Sequence, residues 1–237
     1  MCDHAQHVAM PDRIAHLTQG KTTRVQITCC EEDDGHLVVE DSWAIWDKHL
    51  QQHVHEESLG HEVCNECEGP LTEMDFDVIN AVAVKDAREA IVSEHQKLTS
   101  MLARPLEDAP QLVSSPGPAS RAWLKEVCGT CGAEGSLIDA YSDMHPTLLT
   151  GEITTTFDKG HFCRTCDGDT RPKEVRMSNH EVMAMVPDIE ARIARLAAEL
   201  VELDQWIVAN ADDYHLDADW VALIAATPGE VENIRAA

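Results

Sequence analysis

The chain of 237 residues carries 43 Asp or Glu against 18 Lys or Arg, a formal charge of −25. That balance excludes a protein whose whole surface grips phosphate backbones, because such binding is driven by Lys and Arg displacing counterions, and it points to cationic partners. Aromatic residues make up only 4% of the chain, so its core must draw on Ala, Val, Ile, Leu and Met, a composition that favours helices.

In chain order, the opening MCDHAQHVAMPDRIAHLTQG has no basic start, apolar run or small-residue cleavage site. No later stretch reaches the roughly 18 apolar residues of a membrane span. The expected location is therefore cytoplasmic, away from membranes. In such a compartment nine cysteines, an odd number with several in C-x-x-C pairs, point to metal rather than disulfides.

The first cysteines are Cys29 and Cys30 in TCCEEDDG, then Cys64 and Cys67 in EVCNECEG. Between them, HLQQHVHEE places His49 and His53 four residues apart, the spacing of one face of a helix. Residues 72–103 lack Gly and Pro, and Ala81, Val84, Ile91, Leu98 and Leu102 recur at helical steps, which predicts one amphipathic helix over that range. The stretch ARPLEDAPQLVSSPGPAS, rich in Pro and Ser, predicts a linker over 104–120.

The second group is cleaner. Cys128 and Cys131 in VCGTCG, then Cys163 and Cys166 in HFCRTCDG, give two C-x2-C pairs about thirty residues apart. Each pair makes a tight turn that aims two thiolates at one tetrahedral ion, and Zn2+ is the expected cofactor. Gly132 and Gly168 stand where those turns call for a left-handed residue. Around the second pair the bases Arg164, Arg171, Lys173 and Arg176 gather, although the chain as a whole is acidic. Beyond it, Ser178 and Glu181 form a capping box, and Val182, Val186, Ile189, Ile193, Leu196, Leu200, Leu203 and Ile207 alternate steps of four and three. Pro187 predicts a break or a fresh start in that helix. Its seam calls for the first unit's helix as partner, or for a second copy of the chain pairing through residues 178–210. Asp217 caps a short helix, and Thr227 with Pro228 and Glu230 predicts another.

Sliding the chain by 99 positions lays Cys29 on Cys128, Cys64 on Cys163, Cys67 on Cys166 and Gly69 on Gly168. The echo predicts a duplicated unit of knuckle, short strands, second knuckle and helix. In the first copy Glu32 falls on Cys131, so a metal there needs Cys29, Cys64 and Cys67 plus a fourth ligand. Cys30 is the nearest candidate, with Glu32, His36 and His61 as others, and His49 with His53 offers a separate Cys2His2 solution.

A knuckle, hairpin and knuckle leading into a helix resemble the zinc-ribbon and treble-clef families over about residues 124–180 and, more weakly, 25–80. The resemblance implies an α+β fold: two tandem units, each followed by a long helix, the helices packed together, plus a short helical tail. The expected boundaries are 1–103, 104–120, 121–211 and 212–237. The second copy also resembles, in degenerate form, the HNH nucleases. SDMHPTLLTG supplies Asp143, His145 and Pro146, but Met144 interrupts the usual dipeptide, Asp158 stands near an expected Asn, and Asp167 stands where a final His or Asn falls. That resemblance implies His145 as base and Asp143 with Asp167 as ligands for magnesium or manganese. Closed thiolate sites stabilise a fold and do not catalyse, so the function expected first is that of an acidic regulatory or adaptor protein. It would dock a basic surface of another protein, nucleic-acid machinery included. The alternatives are an HNH-like nuclease and a zinc-ribbon nucleic-acid-binding module using Arg164, Arg171, Lys173 and Arg176.

Overall fold

The computed structural model describes residues 10–32, 37–103, 123–144 and 151–229. The expected linker 104–120, His36, His145, Pro146 and the tail from 230 lie outside the described residues. The class is α+β with antiparallel sheets throughout.

After a 3-10 turn at Asp12–Ile14 come β1 (Thr22–Cys30), β2 (Val38–Asp47), β3 (Gln52–Cys64), β4 (Leu71–Ile79) and α1 (Asn80–Leu102). The same order then returns: β5 (Leu124–Cys128), β6 (Ser136–Met144), β7 (Gly151–Cys163), the two-residue β8 (Gly168–Asp169), β9 (Pro172–Arg176) and α2 (Asn179–Asn210). A short α3 (Ala218–Ala226) closes the described chain.

Strand pairing repeats with the order. β1 pairs with β4 as β5 pairs with β9, and the hairpin β2–β3 has its counterpart in β6–β7. The two hairpins join along β2 and β6 into one five-stranded sheet, in the order β3-β2-β6-β7-β8. At its centre Ser42 faces Ala140, and these are also equivalent positions when the second half is moved back by 98 residues. The junction is therefore close to a two-fold pairing of one strand with its own counterpart. Bulges interrupt β2 against β3 and β6 against β7, which increases local twist. Small side chains, Ser42, Ala44, Ala140 and Ser142, fill the buried face of the central pair.

Three expectations are corrected. The predicted helix over 72–103 begins only at Asn80, because residues 71–79 pair with β1 and bury alternate positions, Phe76 half-buried and Val78 fully. No Gly or Pro separates strand from helix, so the junction carries no breaker signal. His49 and His53 do not share a helix: Asp47 Oδ1 accepts from the His49 and Leu50 N–H groups at 2.8 and 3.1 Å, forming the β2–β3 turn, and His53 lies in β3. Pro187 does not break α2, which runs unbroken through it. Both Pro187 and Met183, whose carbonyl loses its helical donor there, are exposed, so water can serve that carbonyl.

The capping box of α2 forms as expected. The Ser178 side chain accepts from the Glu181 N–H, and the Glu181 carboxylate accepts from the Ser178 N–H at 2.8 Å. Of the expected seam, Val182, Ile189, Leu196, Leu200, Leu203 and Ile207 are buried, joined by Met185 and Trp206. They pack with Ala83, Val84, Ala87, Ile91, Leu98 and Met101 of α1, so the seam finds its partner within the chain. Arg88 meets Asp204 through two hydrogen bonds of 2.6 and 3.1 Å, and Arg192 meets Glu94 at 2.8 Å. These pairs ascend one helix while descending the other, so α1 and α2 are antiparallel. Asp204 also accepts from the Gly229 N–H at 2.8 Å, which ties the segment after α3 to the helix pair.

Candidate metal centres

Two strand ends and the turns that follow them build the second centre. Cys128 ends β5 and Cys163 ends β7, and each continues into a tight turn that carries the next cysteine, Cys131 or Cys166. Both turns close in the same way. The Gly132 N–H donates to the Cys128 carbonyl at 2.9 Å, and the Asp167 N–H donates to the Cys163 carbonyl at 2.8 Å. The residue four after the first cysteine is left-handed in each case, with φ 75° at Gly132 and 53° at Asp167. Gly132 thus has the role expected of it. Gly168 does not: Asp167 takes the left-handed position and Gly168 enters β8. Asp tolerates that conformation better than most residues.

The four sulfur atoms of Cys128, Cys131, Cys163 and Cys166 lie within 4.8 Å of one another. Cys128 Sγ is 3.7 Å from Cys166 Sγ, and Cys131 Sγ is 3.8 Å from Cys163 Sγ. A Zn–S bond of about 2.3 Å places tetrahedral neighbours about 3.8 Å apart, so the sulfurs stand at the edges such an ion requires. A disulfide would bring two of them to about 2.05 Å, far closer than any pair here. Backbone N–H groups already point at the sulfurs: Thr130 and Cys131 toward Cys128 at 3.4 and 3.5 Å, and Cys166 toward Cys163 at 3.4 Å. Such N–H···S bonds stabilise thiolates and orient them. The Thr170 hydroxyl, 3.0 Å from Cys128, acts first and the Cys131 N–H next to hold the Cys128 thiol down to about 5. Cys166, hydrogen-bonded to Cys131 and then penalised by burial, is pushed up to about 12. One easily ionised thiol, Cys128, beside one that resists ionisation, Cys166, is the arrangement a dication resolves, by replacing protons.

The first centre is built by the same strand ends with one change. Cys30, Cys64 and Cys67 gather their sulfurs within 4.8 Å, Cys67 lying 3.4 Å from both Cys30 and Cys64. Its second turn copies those of the other centre. The Glu68 N–H donates to the Cys64 carbonyl at 3.1 Å, and Glu68 has φ 54°. Hydrogen bonds to Cys64 and Cys30 push the Cys67 thiol up to about 11. Cys29, expected as a ligand in the place of Cys128, is not in the group. It neighbours Cys30 on β1, and alternation puts it on the side of Val25 and Ile27, facing the main core. Cys30 occupies the position equivalent to Cys128, a displacement of 98 rather than 99.

Other candidates are dispersed. His53 Nε2 meets Glu126 at 3.2 Å, and His61 Nδ1 meets Asp41 at 3.0 Å, so neither joins a cysteine group. Burial lowers the affinity of His49 for a proton, and its Nε2 is buried without a hydrogen-bond partner. For the nuclease resemblance, Asp143 pairs with Glu152 at one end of the β6–β7 pairing, whereas Ser136, seven residues back, pairs with Cys163 at the knuckle. At about 3.3 Å per residue, roughly 23 Å of strand separates Asp143 from the turn that carries Asp167, too far for one ion. Of the bases, Arg164 pairs with Glu56 at 2.8 Å, while Arg171 and Lys173 line a cleft beside Gly129, Thr130, His161, Asp169 and Thr170.

Two groups of cysteines able to hold metal ions are thus carried by equivalent strand ends. Among the described residues no helix is long and apolar enough to cross a membrane. Comparison of the chain with protein-family models, with curated proteins and with solved structures finds no match.

Proposed function

We propose that the chain is a zinc-stabilised acidic adaptor made of two duplicated zinc-ribbon-like units, acting by docking a basic surface of another protein. The observation that carries the reading is the spacing of Cys128, Cys131, Cys163 and Cys166, whose sulfurs already stand about a tetrahedral edge apart. Four thiolates fill the coordination sphere of zinc and leave no position for water or substrate, so the ion would hold the fold and perform no chemistry.

Docking then falls to the surface. On the outer face of the β1–β4 pair, Glu73, Asp75 and Asp77 are all exposed, opposed by Thr28, Gln26 and Arg24. Glu31, Glu32, Glu66 and Glu68 extend this negative field around the first knuckle. A field of one sign steers oppositely charged partners and sets their orientation more than it sets final affinity.

The test has two arms. Purified chain is assayed for zinc before and after Cys128→Ser, with one ion per chain expected to disappear; metal-free chain that remains folded overturns the reading. Immobilised chain is then presented with a cytoplasmic extract at rising salt. Recovered partners are expected to leave as salt approaches about 1 M, where the screening length falls to about 3 Å. Partners that persist there overturn the electrostatic docking. The cleft of Arg171 and Lys173 favours one second reading, a nucleic-acid-binding module. That reading requires duplex affinity that falls when both bases are replaced.

A further inference from the structure

The two cysteine groups differ in one respect that the duplication does not explain. The second offers four sulfurs and the first offers three. The Glu32 carboxylate as placed lies outside the group of three sulfurs, and Gly69 marks how near its side chain comes to them. A methyl group built on that glycine would stand 3.0 Å from Cys67 Sγ, 3.3 Å from Glu32 Cγ and 3.9 Å from Cys30 Sγ. The Glu32 side chain and two of the three thiols therefore flank the same glycine, and the Glu32 Cγ is one bond from a carboxylate that side-chain rotation can swing toward the sulfurs. The backbone holds Glu32 there: the neighbouring Glu31 N–H donates to the Pro70 carbonyl at 2.9 Å, locking the residues after Cys30 against those after Cys67. A side chain at this position would crowd both Cys67 Sγ and Glu32 Cγ, so the glycine keeps the gap between them open.

We propose that Cys30, Cys64, Cys67 and Glu32 form an exchangeable zinc centre, in which the carboxylate is the displaceable fourth ligand. The proposal rests on the reading that this chain binds zinc through thiolates, and it assigns the first unit a different task from the second. Zinc accepts a carboxylate oxygen at about 2.0–2.2 Å, and a hard oxygen donor is the weakest partner in a set otherwise made of soft sulfurs. Water, a chelator or the thiolate of another molecule can replace it without unmaking the three sulfur bonds. Access is open from that side, since Glu32 and Cys67 are both exposed. The surrounding Glu31, Glu66 and Glu68 raise the local concentration of cations. The second centre keeps its ion for the fold, and the first loads and unloads.

The experiment uses the full chain loaded with zinc and challenged with the coloured chelator 4-(2-pyridylazo)resorcinol. Two ions per chain are expected, one released in a fast phase and one in a slow phase. Cys64→Ser should delete the fast phase and leave the slow one, which serves as the folding reference. Glu32→Ala should quicken fast release by on the order of tenfold or more, the scale on which even ligand-supporting groups alter zinc affinity. Glu32→Cys, which supplies a fourth sulfur, should slow it by a similar factor. Cobalt substitution gives an independent reading: thiolate-to-cobalt absorption should correspond to seven thiolates in the natural chain and eight in Glu32→Cys. The proposal is overturned if the chain holds a single ion on the second tetrad, if both ions leave in one phase, or if release ignores both substitutions of Glu32. Cobalt absorption already at eight thiolates overturns it too, whatever the folding of the variants. A chain with no zinc at all sinks the proposed function along with this centre, whereas one retained ion sinks this centre alone.

Discussion

Gly129 shows how closely the second knuckle is fitted. Its N–H donates to the Arg171 carbonyl at 3.0 Å, and a Cβ added there would lie 2.3 Å from that same oxygen. Gly129→Ala must push the β5–β9 pair apart beside the cysteines. We expect it to cost about 1–3 kcal/mol in denaturant unfolding, the usual range for overpacking, and, with metal bound as proposed, to speed the loss of that ion. Arg88 and Asp204 pose the opposite problem, two charges almost wholly removed from water and satisfied by each other. Arg88→Met strands the carboxylate with only the Gly229 N–H and is expected to cost about 3–5 kcal/mol. The double variant Arg88→Met, Asp204→Leu should recover much of that loss, which a double-mutant cycle measures directly. Cys29 marks the limit of reading residues from spacing. Slipping the repeat by one position exchanges the two faces of a strand, so a one-residue error turned a core thiol into an expected ligand.

Among the elements, α2 was the most legible. Its capping box, its start and its buried stripe all follow from Ser178, Glu181 and the apolar spacing. Lys125 and then Ser178 hydrogen-bond the Glu181 carboxylate and hold it down to about 2, against the ordinary 4.5. A depressed acid stabilises the folded chain at pH above its unfolded value and loses that contribution as pH falls through the folded one. The stability difference between the natural chain and Glu181→Gln should therefore be constant above pH 4.5 and shrink as pH drops toward 2, as urea titrations at stepped pH would record. β4 and the β2–β3 turn were illegible for physical reasons. In β4, period-two burial runs directly into a helix whose first turn has no polar cap. At the turn, the Asp47 side chain satisfies two N–H groups in a run whose histidines happen to fall four apart. Local hydrogen bonding overrode spacing in that case.

Over the whole molecule, the cysteine pairs announced two groups able to hold a metal ion, and an α+β class was expected from the units they imply. The joining of the halves through β2 and β6 carried no signal, because Ser42, Ala44, Ala140 and Ser142 form no conspicuous apolar pattern. Each cysteine group has one member, Cys64 or Cys163, that ends a strand of the joined sheet, so with metal bound as proposed, withdrawing the slowly released ion of the second centre should loosen both halves together. A single cooperative loss of near-ultraviolet circular dichroism is the expected outcome, and two separate transitions would show the halves to be independent.

The face-to-face placement of Ser42 and Ala140 has a consequence for ancestry and for engineering alike. A strand that pairs with its own counterpart about a local dyad can also pair with itself, so one half alone retains the geometry of a symmetric dimer. A fragment spanning 121–229 should sediment as a pair of molecules joined through β6, and adding the fragment 10–103 should exchange one of them for its sister.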